Sequence, residues 1–354
     1  MKNLFIFIII ITFYSTNSKA QTVSTFIDSG GTGLSGLTID ENFLYVVASF
    51  SGEVYKKDIT TSDNNYETFN IGGSGYEGIC KAGNYVYISK PWNGSPGIYR
   101  FNPNDSTINF EYFISINHSM GLTNRNSELY FSSDDKIYKV DLNDTNPTPF
   151  EIASNINGNQ AWNSTMGLKI YENFLYVTEL AGISRINLDS GNYEKETITS
   201  YTGDSFTRGS DENTFYLTGG QDETAVYELD IQTQTYSILA QIENFVGTYD
   251  INFANNSLFV TTNEGDYDKV IRIDINPLSV NDFQQINTSI FPNPANDFIN
   301  IKGLEPYKNI TIINSNGQLV KTTKIENAKI DISDLKVGVY FIKSRNVNSK
   351  FIKK

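Results

Sequence analysis

An apolar residue, an aromatic ring and a second apolar residue recur along the chain as one phrase: Leu44-Tyr45-Val46, Val86-Tyr87-Ile88, Leu129-Tyr130-Phe131, Leu175-Tyr176-Val177, Phe215-Tyr216-Leu217 and Leu258-Phe259-Val260. The central rings are separated by 42, 43, 46, 40 and 43 residues. A period of this length marks a solenoid or a propeller. Ahead of each phrase lies a shorter apolar stretch, often with Gly: Gly36-Leu37, Glu77-Gly78-Ile79, Met120-Gly121-Leu122, Met166-Gly167-Leu168, Arg208-Gly209 and Asp250-Ile251. Behind it comes a third, as in Val54-Tyr55-Lys56 or Ile98-Tyr99-Arg100, and in most repeats a more polar fourth, as in Tyr66 to Ile71. Four short strands joined by Gly, Asn, Asp and Ser turns predict a propeller blade. The period also suits helical pairs. However, no repeat holds ten residues of helical periodicity, and Thr, Tyr, Val, Ile and Asn favour strand. Blades are covered on both faces, which explains why the second strand reads as a continuous apolar run.

The sixth repeat stops after its third strand, where Ile271-Arg272-Ile273-Asp274 runs to Pro277. An open edge there would leave a row of unpaired backbone groups. The start of the chain holds a substitute: Thr22-Val23-Ser24-Thr25-Phe26-Ile27 followed by Gly30-Gly31-Thr32-Gly33 parallels Tyr66 to Ile71 followed by Gly72-Gly73-Ser74-Gly75. The expectation is six blades, the last completed by the N-terminal strand.

Both ends differ from this middle. Lys2, an eleven-residue apolar run from Leu4 to Tyr14, and Ser18-Lys19-Ala20 have the layout of a cleavable secretory signal. That run is well short of the roughly 20 residues a membrane span needs. The mature chain is therefore expected to begin near Gln21, exported, with no transmembrane segment. Residues 288–354 carry 11 Lys/Arg and 5 Asp/Glu, whereas 21–287 carry 14 and 35, which places a domain boundary between them. The C-terminal segment alternates apolar and polar residues through Phe298 to Ile301, Ile310 to Ile313, Ile330 to Ile332 and Val339 to Ile342, the pattern of a small antiparallel sandwich. The expected fold class is all-β: a signal peptide (1–20), a six-bladed β-propeller (21–278), a linker (279–287) and the sandwich (288–354).

Composition removes several functions. The net charge of −13 argues against nucleic acid as a partner, because backbone phosphate binding needs a basic surface. One Cys (Cys80) and one His (His118) exclude a disulfide framework, thiolate zinc sites and multi-His metal sites. Nothing in the chain calls for assembly, and a monomer is expected.

In the C-terminal segment, Phe291-Pro292-Asn293-Pro294-Ala295, Asn314-Ser315-Asn316-Gly317-Gln318, Ile332-Ser333-Asp334-Leu335, Gly338-Val339-Tyr340-Phe341 and the basic end Lys353-Lys354 occur in order. Residues 288–354 so resemble the type A C-terminal sorting domain of the type IX secretion system of Bacteroidetes. The resemblance implies a bacterial protein that reaches the periplasm by its signal peptide and then crosses the outer membrane. Its partner would be the type IX machinery, its destination the cell surface or the medium. An accessory binding sandwich is the competing reading.

Residues 21–276 resemble six-bladed NHL-like and gluconolactonase/regucalcin-like propellers in repeat length and in the small residues entering the inner strand. In such propellers one mouth gathers the loops entering the innermost strands and those between second and third strands. For this chain that implies Tyr76, Glu77, His118, Trp162, Asn163, Phe206, Arg208, Tyr249 and Asp250, together with Trp92, Asn93 and the acidic loop Asn263 to Asp268. Glu77, Trp92, His118, Trp162, Arg208, Tyr249 and Asp250 are the candidate ligand-binding residues. The gluconolactonase resemblance also implies a divalent cation such as Ca²⁺, held by Glu77, Asn163 and Asp250 with Asp250 as general base. Two departures weigh against it: Arg208 falls where a second Asn ligand belongs, and the family's Pro-Asp-Gly is missing. No Gly-x-Ser-x-Gly elbow or acidic orienter accompanies His118. The leading expectation is a binding protein without a required cofactor, whose extracellular ligand is a glycan, peptide or protein. The alternative is a metal-dependent, lactonase-like hydrolase.

Overall fold

The computed structural model describes residues 21–158, 164–220, 222–242, 247–263, 268–275, 289–302, 309–314, 318–324, 329–344 and 347–354. It divides into two compact units, Met1–Asn276 and Pro277–Lys354. The first unit is a six-bladed propeller of four-stranded antiparallel sheets. After β1 (Gln21–Asp28), the first blade holds β2 (Leu34–Asp40), β3 (Phe43–Ala48), β4 (Glu53–Asp58) and β5 (Glu67–Asn70). The second holds β6 (Ile79–Ala82), β7 (Tyr85–Lys90), β8 (Gly97–Phe101) and β9 (Glu111–Ser115). The third holds β10 (Ser119–Arg125), β11 (Glu128–Ser133), β12 (Lys136–Asp141) and β13 (Phe150–Ser154). The fourth holds β14 (Leu168–Tyr171), β15 (Phe174–Glu179), β16 (Gly182–Asn187) and β17 (Lys195–Thr199). The fifth holds β18 (Ser205–Arg208), β19 (Thr214–Thr218), β20 (Ala225–Asp230) and β21 (Thr235–Gln241). In the sixth, β22 (Gly247–Ala254), β23 (Ser257–Asn263) and β24 (Lys269–Ile275) are completed by β1, which pairs antiparallel with β24 from Gln21 opposite Ile275 to Asp28 opposite Lys269. The innermost strands β2, β6, β10, β14, β18 and β22 touch in that order, and β22 touches β2, so the ring closes.

The recurrent phrase is the second strand of each blade and supplies the core. Leu44, Val46, Val86, Ile88, Leu129, Phe131, Leu175, Val177, Phe215, Leu217, Leu258 and Val260 are fully buried. The turns leading into these strands are two residues long in every blade but the fifth, where residues 209–213 make the connection, and in the sixth blade Asn255 and Asn256 both take positive φ (48° and 60°). That is the conformation a tight hairpin needs for its twist to match the strands.

Close approach at the hub explains the recurring glycine. A Cβ on Gly78 would lie 1.9 Å from the Met120 carbonyl oxygen of the next blade. A hydroxyl just beyond the phrase then stitches neighbouring blades. Ser89 Oγ accepts from Gly78 N (2.7 Å) and donates to Met120 O (2.8 Å). Ser132 Oγ accepts from Gly121 N (3.0 Å) and donates to Thr165 O (2.7 Å). Thr218 Oγ1 donates to Tyr249 O at 2.8 Å. Further out, a cation within the third strand faces an acid directly opposite on the fourth: Lys56–Glu67 (3.3 Å), Arg100–Glu111 (2.5 Å) and Arg185–Glu196 (3.2 Å).

The second unit is a small sandwich. Strands β25 (Ser289–Phe291), β26 (Phe298–Lys302) and β29 (Lys329–Asp331) form one sheet; β28 (Leu319–Lys324), β27 (Asn309–Asn314), β30 (Gly338–Ser344) and β31 (Val347–Lys353) form the other. Its core is aliphatic, with Ile299, Ile301, Ile310, Ile312, Ile330, Ile332 and Ile342 packed around Tyr340 and Phe351.

Candidate functional site at the propeller mouth

All innermost strands run in one direction, so the residues entering them meet at one end of the ring, with the turns between second and third strands. The position just before the hub glycine, or its counterpart, is occupied by Ser35, Glu77, Met120, Met166, Asp204 and Tyr249. One side of this mouth therefore carries thioethers, from the third and fourth blades. The other carries carboxyls, a phenol and a hydroxyl.

Glu77 is 9% exposed and accepts from Ser35 Oγ at 2.5 Å and Ser49 Oγ at 3.5 Å. Burial pushes its carboxyl up to about 7, against the pull of those two hydroxyls. Tyr249 lies near enough to feel it: burial raises the phenol's pKa, and the charges of Glu77 and Asp204 raise it further. Asp250 is buried and saturated with protein donors. It accepts from Leu37 N (2.9 Å) in the first blade, Ser205 Oγ (2.6 Å) in the fifth and its neighbour Ile251 N (2.8 Å). Lys169, from the fourth blade, reaches across the channel to it at 3.3 Å. The charges on this pair neutralise each other inside the ring, close to the buried Cys80, whose thiol burial pushes up to about 12.

On the second and third blades, Trp92 is half-buried, its indole nitrogen about 4.0 Å from where a Cβ on Gly75 would stand. His118 takes a positive φ of 51° and donates its backbone N–H to Pro91 O at 2.8 Å, which sets it beside Trp92. Its Nδ1 lies 2.6 Å from Asp134 Oδ1, and its carbonyl accepts from Ser164 Oγ at 2.7 Å. An acidic orienter for His118 therefore exists, contrary to the sequence expectation: it comes from the next hairpin. The serine nearby bonds the backbone, not the imidazole.

Glu77, Trp92, His118, Tyr249 and Asp250 thus stand at the mouth. Arg208 does not. It is the last residue of β18, at the opposite end of the ring, where it lies 4.6 Å over the Tyr171 ring and pairs with Glu172 at 3.3 Å. The residue of that blade at the mouth is Asp204, four residues earlier, and four residues of strand span roughly 13 Å. Tyr76 and Phe206 belong to the core. Trp162 and Asn163 lie outside the described residues, as do Glu264 and Asp266; Asp268 is buried and accepts from Gly33 N. Of the proposed cation ligands, Asp250 has its carboxylate taken by four donors. No group of three His, Cys, Asp or Glu among the described residues is placed to hold a metal. Two rim residues escaped sequence reasoning: Phe50 (70% exposed) and Leu180 (56%), each in a turn between second and third strands. Their signal was a large apolar side chain in an otherwise polar turn.

Comparison with known proteins divides along the same boundary as the fold. Residues 289–354 match the secretion system C-terminal sorting domain family, and this segment is such a domain. It marks the chain for type IX export to the cell surface or beyond. No curated protein matches the chain. Among solved structures, an auxiliary nutrient binding protein from Bacteroides thetaiotaomicron is similar at 16% identity and a TM-score of 0.54, over 72% of this chain and 76% of that one. A gluconolactonase from Xanthomonas campestris is similar at 14% identity and a TM-score of 0.54, over 72% and 90%. A Bacteroides thetaiotaomicron protein of unknown function is similar at 15% identity and a TM-score of 0.53, over 72% and 76%. The chain is a type IX-sorted β-propeller protein.

Proposed function

We propose that this protein is a binding propeller, delivered by its sorting domain to the outside of the cell, that takes a glycan, peptide or protein at the propeller mouth. In this reading residues 1–20 are removed as a signal peptide, residues 279–287 link the two domains, and the propeller works as a monomer. The observation that carries the proposal is the saturation of Asp250. The carboxylate a metal-dependent hydrolase would use is spent on joining blades, while Glu77, Tyr249, Trp92 and His118 line the same mouth. Those side chains suit recognition: the indole offers apolar area with one N–H, and the carboxyl, phenol and imidazole orient a polar ligand. A nutrient binding protein and a gluconolactonase share this fold, so the fold does not choose between the two activities.

The test is a glycan and peptide array probed with the mature chain, then calorimetry of any hit against Trp92→Ala. Loss of the hit in a folded variant supports the mouth; unchanged affinity rejects it. Titration of Ca²⁺ and Zn²⁺ with a lactone panel addresses hydrolysis. Tight one-to-one metal binding abolished by Asp250→Ala and Glu77→Ala, with lactone turnover, would replace binding by catalysis.

A further inference from the structure

The glycine runs Gly30-Gly31-Thr32-Gly33 and Gly72-Gly73-Ser74-Gly75 belong to a longer duplication. Phe50-Ser51-Gly52 and Trp92-Asn93-Gly94 share their register, so every position of the first set recurs 42 residues on in the second. The backbone repeats as well. Gly30, Gly31 and Gly33 take φ of 68°, 92° and 72°, and Gly72, Gly73 and Gly75 take 69°, 74° and 79°. In the other four blades the position of Phe50 and Trp92 holds Asp135, Ala181, Gln221 and Glu264, and no glycine run leads into the innermost strand.

The two copies adjoin at the mouth. The Phe50 ring lies against Gly33, where a Cβ would come within 2.5–2.8 Å of it, and Phe50 N donates to Thr32 O at 2.9 Å. The second glycine run passes between the two aromatic turns. On one side Gly72 N and Gly75 N donate to Gly52 O (3.0 Å) and Ser49 O (2.7 Å); on the other Gly75 stands beside Trp92 and Asn93. Two aromatic side chains, Phe50 exposed and Trp92 half-buried, therefore flank backbone that carries almost no side-chain bulk. Ser51, Ser74 and Asn93 are exposed around them and offer both donors and acceptors. The carboxylates close by already have protein donors: Asp28 accepts from Gly30 N (3.2 Å), Glu53 from the Ser51 and Tyr55 hydroxyls (2.8 Å each) and Glu77 from Ser35. The ammonium of Lys90 is placed 5.4 Å over the Tyr76 ring. An acidic ligand would meet these carboxylates, and none of them is left without a donor for a cation to claim. The surface suits an uncharged ligand.

We propose that the duplication is a pair of equivalent subsites for a neutral, linear glycan, one hexose ring stacking on Phe50 and another of the same chain on Trp92. The inference rests on the binding reading above and specifies its ligand. A sugar ring offers an apolar C–H face to an aromatic ring, and its hydroxyls use donors and acceptors alike. Glycine backbone lets such a chain approach closely. A proline-rich peptide also docks on aromatic grooves, but it brings carbonyl acceptors only and cannot use the acceptors of Ser74 and Asn93.

The test is calorimetric titration of glucose, cellotetraose and decaproline into the full chain. Neighbouring sheets pack roughly 10 Å apart, a distance that a tetrasaccharide spans. Cellotetraose is expected to bind saturably and at least about tenfold more tightly than glucose, because the second subsite is filled intramolecularly. Phe50→Ala and Trp92→Ala should each bring cellotetraose down to the affinity of glucose. Phe150→Ala, at an exposed aromatic outside the duplication, should leave it unchanged. No binding of cellotetraose, equal affinity for glucose, or tighter binding of decaproline overturns the proposal. Loss in only one of the two variants also overturns it but keeps the mouth as a binding site; unchanged affinity in both removes the mouth as well. Phe50 is 70% exposed, so should Trp92→Ala not fold, Phe50→Ala decides alone: loss supports the paired subsites and no change refutes them.

Discussion

Glu77→Gln tests the electrostatics of the mouth directly. In the folded chain the carboxyl is buried and its pKa raised from 4.5 to about 7. The folded state therefore binds this proton more tightly than the unfolded state does. Its contribution is fully present below pH 4.5, declines as the pH rises, and is lost once the pH passes about 7. The difference in proton affinity corresponds to about 3 kcal/mol. Glutamine keeps the shape and an acceptor for Ser35 but cannot ionise. The variant should therefore match the wild type near pH 4.5 and exceed its stability by up to about 3 kcal/mol at pH 8. Urea unfolding at pH 4.5, 6 and 8, followed by tyrosine and tryptophan fluorescence, measures both slopes. Every other carboxylate is common to the two proteins, so the difference between the curves isolates residue 77. Parallel curves, or a variant less stable at pH 8, would refute the reasoning and mean that Glu77 is ionised in the folded protein.

Three further outcomes are expected. Ser89→Ala removes the hydroxyl shared by Gly78 N and Met120 O and leaves both buried groups unpaired, lowering stability by about 2 kcal/mol; an unchanged urea midpoint contradicts the stitching role. A mature chain lacking residues 21–27 loses the partner of β24 and exposes a sheet edge, so it should aggregate in size-exclusion chromatography; a soluble monomer of native stability contradicts this. Truncation after Asn281 should leave a folded propeller retained in the periplasm of the native host; arrival in the medium at wild-type levels contradicts the sorting role.

The repeated phrase, the truncated sixth repeat and the strand at Thr22 to Ile27 were legible because they are statements about periodicity. A blade's second strand must be apolar wherever it lies, and a ring with one strand missing must find it at a chain end. The sorting domain was legible for a similar reason, since its motifs and its reversed charge are local in the chain. Only the tertiary structure decided what the polar residues do. Arg208 and Asp204 are four residues apart, yet they lie at opposite ends of an innermost strand, and no pattern says where that strand begins. Bulges in β2, β10 and β22 interrupt the alternation of side chains close to the mouth, so the direction of Asp250 does not follow from its position. Its donors come from Leu37, Ser205 and Lys169, in three other blades, and the acid beside His118 comes from a later hairpin. Lys57 is buried against Phe26 and bonded to its carbonyl only because β1 returns to close the ring. Periodicity sets which faces are apolar, and so sets the fold. Pairing between charges depends on distances that exist only once the ring has closed.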